Sequence, residues 1–153
     1  MYRCVLVPLD GSATAAEALP HAREIALHFG ARLLLVRVVQ PLLVPTIPTF
    51  AGPELSAREH PGDTEAARAY LQTCAEALSA LGITVQVEVR HGSPADELLE
   101  CMDDYHPDLV VMATQGRGLT RLFGGQVTEA LLARSSVPVL VIRAPEAADA
   151  PGG

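Results

Sequence analysis

Residues 83–90 read ITVQVEVR, an unbroken alternation of apolar and polar side chains. A strand whose successive side chains point to opposite faces reads this way when one face is wet, which places it at the edge of a sheet. Three other segments, Val5–Leu9, Leu33–Val39 and Asp108–Met112, are apolar almost throughout, with Arg37 the one charge inside the second. Such runs suit the interior of a parallel sheet, covered on both sides. A fifth segment, Val137–Ile142, carries Pro138, which cannot donate to a ladder and so belongs at an edge or at a strand's first residues. Helical patterns separate the five. Strands alternating with helices predict an α/β fold, a single-domain open five-stranded parallel sheet joined by right-handed crossovers with helices on both faces. With the third and fifth strands as edges, the order is 3-2-1-4-5, and strands 1 and 4 meet at the centre where the winding reverses.

The helix signals agree. Thr14-x-x-Glu17 resembles a capping box, Leu19, Ala22, Ile25, Ala26 and Phe29 form a stripe, and Gly30 is a left-handed stop. Pro20 within the first turns argues for a kink or a later start. Asp63 is expected to cap a helix ending near Leu81 and Gly82, with Ala67, Tyr70, Leu71, Cys74, Leu78 and Leu81 on one stripe. Ser93 with Pro94 opens another helix that ends near Asp104, and the last is expected from about Gln126 to Arg134. Between them, residues 40–62 hold five prolines and two glycines and read as a long irregular surface loop. The domain is expected to span 1–145, with 146–153 a disordered tail.

Composition narrows the function. The 153 residues suffice for one core, and a net charge of -7 opposes binding to nucleic acid or anionic membranes. All 11 basic residues are arginines, so the lysine of a P-loop and a Schiff-base lysine are both excluded. No apolar run approaches the length of a membrane span and the N-terminus has no signal-peptide core, so a cytoplasmic protein is expected. Cys4, Cys74 and Cys101 lack C-x-x-C spacing and read as reduced, mostly buried thiols. His21, His28, His60, His91 and His106 show no metal-ligand spacing, and no nucleophile and base stand out, so neither a catalytic site nor a metal site is expected.

In an open parallel sheet the ligand crevice lies at the carboxyl ends of the strands flanking the reversal. Here those ends are Pro8-Leu9-Asp10-Gly11-Ser12 and Ala113-Thr114-Gln115-Gly116. After the second comes MATQGRGLTRLFGGQVTE (112–129), with four glycines and two arginines ahead of a helix. The helix start would present backbone donors from Gly125, Gln126, Val127 and Thr128, suited to phosphate, and Arg117 and Arg121 could add charge. The Asp10 carboxylate could accept from a ribose hydroxyl or a base amino group. The same residues also fit a simpler reading in which Asp10 only begins a turn and the glycines only permit a tight loop.

VLVPLDGS, the Val89-x-x-Gly92-x-Pro94-Ala95 segment, DLVVMAT, the glycine loop and VPVLVIR, in that order, resemble the universal stress protein family from Val5 to Arg143. The resemblance implies an adenine nucleotide alpha-hydrolase-like fold and, in the ATP-binding branch, G-x2-G-x9-G-[ST] after the fourth strand. Carried over by position, Pro8, Leu9 and Asp10 would meet base and ribose, Val38 the adenine, Met112 and Ala113 the ribose side, and Gly116, Gly125, Gln126, Val127 and Thr128 the phosphates. Ala113 stands at the motif's first glycine, Gln115 at a frequent histidine with an amide able to donate to phosphate, and Gln126 at the small hydroxyl residue. Eight residues separate Gly116 from Gly125 instead of nine. The expectation is an ATP-binding regulatory protein of the stress response, with or without magnesium, with little or no hydrolysis, and a homodimer through strand 5. The alternative is a non-nucleotide dimeric interaction module of the same fold with a degraded phosphate loop.

Overall fold

The computed structural model describes residues 1–45, 55–58, 61–115 and 124–145. Five parallel strands form the main sheet: β1 (Cys4–Pro8), β2 (Arg32–Val39), β5 (Val85–His91), β6 (Leu109–Thr114) and β7 (Val139–Arg143). Their order is β5-β2-β1-β6-β7, which is 3-2-1-4-5 in the numbering of the five expected strands. Register runs Val5↔Leu33 and Leu6↔Leu34 on one side of β1, and Val5↔Leu109 and Leu6↔Val110 on the other. β1 is therefore central, and the switch point lies between it and β6.

Helices cover both faces. α2 (Ala18–Phe29) and α3 (Pro61–Ser79) lie against Val5, Val7, Leu33, Leu35, Leu109 and Val111, with Leu71 and Leu78 of α3 buried there. α2 meets the sheet through Ala18, Ala22 and Ala26, four residues apart on one face, where small side chains let the backbones approach. α4 (Pro94–Tyr105) and α5 (Gly124–Arg134) cover the other face, where Leu98, Cys101, Met102 and Leu131 pack on Leu6, Leu34, Val36 and Val110. Each fully buried Leu or Val contributes about 1.5 to 3 kcal/mol of transfer free energy.

Several boundaries differ from expectation. The first helix is broken: a four-residue α1 (Ala13–Ala16) precedes α2, and Pro20 sits at the third residue of α2, where its missing N–H costs no helical hydrogen bond. The cap of α1 is Ser12, whose side chain accepts from the Ala15 N–H, and not Thr14. Gly30 ends α2 at φ 66°, in the left-handed conformation expected of it. Leu81 lies beyond the end of α3 and Phe29 is partly exposed, so neither belongs to the core stripe.

The connection from 40 to 62, read from its prolines as irregular, carries an antiparallel pair, β3 (Leu42–Pro45) and β4 (Leu55–Arg58), with Leu42↔Arg58 and Pro45↔Leu55 in register. Proline is tolerated in an edge strand, and a four-residue strand is too short to show periodicity. The polar side of β5 also differs from expectation. Gln86, Glu88 and Arg90 are half-buried, because they find partners: Arg32 of β2 donates to Gln86, Tyr105 of α4 donates to Glu88 at 2.8 Å, and Arg90 pairs with Glu88 and with Asp104 of α4. All three cysteines are free thiols, with Cys4 and Cys101 buried.

Candidate functional site

The end of β1 passes through Leu9, whose side chain is in the core and whose N–H donates to Val36 O at 2.8 Å, into a sharp turn at Asp10-Gly11-Ser12. Asp10 Oδ1 accepts from both the Ser12 N–H, at 2.9 Å, and the Ser12 hydroxyl. Ser12 Oγ in turn accepts from Ala15 N at 3.1 Å, so one chain of hydrogen bonds runs from Asp10 into the first turn of α1. Gly11 has φ 85°, a conformation that side-chain-bearing residues rarely adopt. The turn is thus built by local pairing, as the simpler reading held, but it uses one carboxylate oxygen only. Oδ2 takes no hydrogen bond among the described residues.

Across the switch point β6 ends at Thr114, and Gln115 Nε2 donates to Thr14 Oγ1 at 2.8 Å. This bond ties the end of β6 to α1, the helix that follows β1. Gly116, Arg117 and Arg121 lie outside the described residues. α5 begins at Gly124, so Gly125, Gln126 and Val127 occupy its first turn, where backbone N–H groups have no intrahelical acceptor. Gln126 is exposed, Val127 packs partly against the core on the α4 and α5 side of the sheet, and Thr128 is buried.

The remaining expected contacts divide between the two faces. Val38 and Met112 belong to the α4 side, and Ala113 is buried on the α2 side. Pro8, half-buried, ends β1 in register with Val36. Pro8, Asp10, Met112, Gln115 and Val38 are therefore gathered at the carboxyl ends of adjacent strands. Leu9 and Ala113 contribute side chains to the core beneath.

Sequence reasoning passed over two residues here. Arg37, treated only as an interruption of an apolar strand, places its guanidinium beside Gly11: a Cβ built on that glycine would lie 3.0 Å from Nη1 and 3.2 Å from Cζ. Tyr70 of α3 lies under the same guanidinium, with Cζ 5.6 Å from the ring centroid, a cation–π contact. The signal was present, since a lone charge near the carboxyl end of a buried strand is costly unless it faces a site.

An open parallel sheet whose winding reverses between β1 and β6, with an acidic turn on one side and a helix start on the other, is a doubly wound α/β architecture of the adenine nucleotide alpha-hydrolase-like fold. The family model described as universal stress protein family matches residues 1–143, and the chain belongs to that family. It is similar to universal stress protein MJ0531 of Methanocaldococcus jannaschii, 31% identical over 147 residues that cover 95% of this chain and 85% of that protein. Among solved structures, it resembles a universal stress protein in complex with cAMP at TM-score 0.67 and 24% identity, covering 92% and 96% of the two chains. It also resembles the universal stress protein from Archaeoglobus fulgidus in complex with dAMP at TM-score 0.66 and 17% identity, covering 93% and 98%. At those identities the two likenesses speak for the fold.

Among the described residues no helix is long and apolar enough to cross a membrane, and no group of acidic, histidine or cysteine side chains is arranged to hold a metal ion.

Proposed function

We propose that this universal stress protein binds an adenine nucleotide, ATP above all, and acts as a cytoplasmic regulatory protein of the stress response with little or no hydrolysis. One observation carries the reading: the Asp10 turn and the first turn of α5 follow the two strands that flank the reversal, and the Thr14–Gln115 bond holds α1 against the end of β6. The residues fit such a ligand. Asp10 Oδ2 would accept from a ribose hydroxyl or the base amino group, Pro8, Val38 and Met112 would supply apolar contact to the nucleoside, and Leu9 and Ala113 would line it with backbone. Gly116 and the N–H groups of Gly125, Gln126 and Val127 would meet the phosphates, with magnesium where it accompanies ATP; Thr128, expected among them, is the fifth residue of α5, because the helix starts at Gly124 and not Gln126, and its N–H falls to the Gly124 carbonyl. That relatives of the same fold are complexes with cAMP and dAMP favours the adenine nucleotide class. Little hydrolysis is expected because Asp10 is assigned to the nucleoside end of the ligand, away from the phosphates that a hydrolytic water would attack.

Assembly through β7 belongs to the same proposal. β7 is an edge strand and Leu140 on it is 38% exposed, an apolar edge that antiparallel pairing with a second copy would cover. Replacing Val141 with a charged residue should give monomer in sedimentation, and an unchanged dimer would point to another interface.

Calorimetric titration of folded, nucleotide-free protein with ATP, ADP and adenosine tests the nucleotide reading. Tightening with each added phosphate supports it. No heat with ATP and magnesium at millimolar concentration would leave the dimeric interaction module with a degraded phosphate loop as the better account.

A further inference from the structure

Arg37 is the one half-buried arginine among the described residues whose guanidinium makes neither a hydrogen bond nor an ion pair with them. Arg32 donates to Gln86, Arg90 is surrounded by Glu88, Glu97 and Asp104, and Arg23 and Arg134 each hold a carboxylate at the surface. Arg37 instead rests on the Tyr70 ring under the Asp10-Gly11 turn. A guanidinium has five donors in a fixed planar fork and no means of losing its charge. Partial burial of such a group without an acceptor is costly, and the face of an aromatic ring returns only part of that cost.

The place it occupies is informative. Arg37 follows Val36, the β2 partner of Pro8, so the carboxylate after β1 and the guanidinium near the end of β2 serve one corner of the crevice. The Tyr70 phenol feels both: burial raises its pKa most, followed by the Cys74 thiol and the Asp10 carboxylate, while Arg37 lowers it. In dinucleotide-binding sheets the group that reads the ribose lies about 20 residues beyond the first strand's turn, an acid for free hydroxyls or an arginine for a phosphate on that sugar; Arg37, near the end of β2, stands at the comparable place, and Asp10 faces it from the end of β1. Here both chemistries are present together, and the two donors of Ser12 on Asp10 Oδ1 reduce the repulsion between that carboxylate and an incoming anion.

We propose that Arg37 reads a phosphate carried on the ribose of the bound nucleoside, so that adenosine phosphorylated at its 2′ or 3′ oxygen is preferred to adenosine itself. The inference rests on the nucleotide reading and adds to it a specificity-determining residue on β2, remote from the α5 phosphate loop. Gly11 is part of the device, because it holds φ 85° and a Cβ there would make the guanidinium give way by a few tenths of an ångström.

The test is calorimetric titration of the full chain with adenosine, its 2′-, 3′- and 5′-monophosphates, and ATP. A 2′- or 3′-phosphate should tighten binding about ten-fold or more over adenosine, the least expected for a charge-assisted hydrogen bond. Arg37→Met, which keeps an unbranched stem over Tyr70, should abolish that gain while leaving adenosine binding unchanged, and Arg37→Lys should restore part of it. Thermal melts of both variants check that they fold. Absence of the gain in the unaltered chain, or its survival in Arg37→Met, overturns the proposal. A chain that binds ATP but ignores the ribose phosphate keeps the nucleotide reading and loses only this inference. No binding of any adenine compound defeats both.

Discussion

The Gln115 side-chain amide donates to the Thr14 hydroxyl at 2.8 Å, across 101 residues of sequence, and links the end of β6 to α1. Both residues stand over the point where the sheet reverses its winding. A half-buried neutral hydrogen bond of this kind contributes about 0.5 to 1.5 kcal/mol net. Gln115→Ala and Thr14→Val should each lower the melting temperature by roughly 2 to 4 °C, the shift that about 1 kcal/mol produces in a chain of this size. The double variant should be no less stable than the weaker single one. Additive losses in a double-mutant cycle would mean that the two side chains act separately.

At the opposite end of the sheet Asp108 Oδ2 accepts from the N–H of Arg3, at 2.7 Å, and of Cys4, at 2.9 Å, fastening the start of β1 beside β6. The backbone bond from Arg3, then that from Cys4, hold the Asp108 carboxyl below its usual value. A depressed carboxylate pKa adds stability that is fully present above the unfolded-chain value, about 3.9, and is lost as pH falls through the lower native value. Asp108→Asn should therefore be less stable near neutrality, and its melting temperature should depend less on pH below about 4. Parallel melting curves of the two chains from neutral to strongly acid pH would show it. Curves that stay a constant distance apart would argue that Asp108 is not the group that titrates.

The thiols offer an independent check on the packing. Cys101 is buried under β5 and β2, and burial pushes its thiol up to about 11, with the Arg90 guanidinium pulling the other way. Burial likewise raises Cys4, against the opposing influence of Arg32. Because the thiolate is the reactive form, neither should be modified in the native protein at mildly alkaline pH. Titration with an aromatic disulfide should find at most one reactive thiol, Cys74, before denaturant and three after. Rapid native reaction at Cys101 would mean that α4 opens readily from the sheet.

The main sheet was legible because each strand announced its own place. The alternation over 83–90 and Pro138 marked the edges, and the unrelieved apolar runs at 5–9, 33–39 and 108–112 marked the interior. What escaped was non-local or too short to carry a period. β3 and β4 pair across an interval of sequence, and Pro45 reads as a loop residue until its partner Leu55 is known. The wet face expected on β5 depended on what α4 laid over it, namely Tyr105 and Asp104, which no periodicity reports. At the candidate site, Asp10 was singled out from topology alone, in the turn that follows the end of β1. Arg37 was not, because its meaning lies in Tyr70 and Gly11, one 33 residues ahead in α3 and one 26 residues behind in the turn.

Asp10 has two separable duties, and one substitution divides them. Oδ1 holds Ser12 through both its N–H and its hydroxyl, and Oδ2 is the oxygen proposed to accept from the nucleoside. Asp10→Ala removes both and would confuse loss of the turn with loss of the ligand contact. Asp10→Asn keeps a carbonyl oxygen for Ser12 but replaces Oδ2 with an amide that can only donate. If the carboxylate reads a ribose hydroxyl or the base amino group, Asp10→Asn should fold and melt close to the unaltered chain yet bind ATP more weakly by about 1.5 to 3 kcal/mol, roughly ten-fold to over a hundred-fold. The same factor should appear with adenosine, since the contact lies at the nucleoside end and is indifferent to phosphate count. Equal affinity of the two chains for ATP, measured by calorimetry on protein of matched stability, would assign Asp10 to the turn alone and move recognition of the nucleoside to the apolar walls at Val38 and Met112.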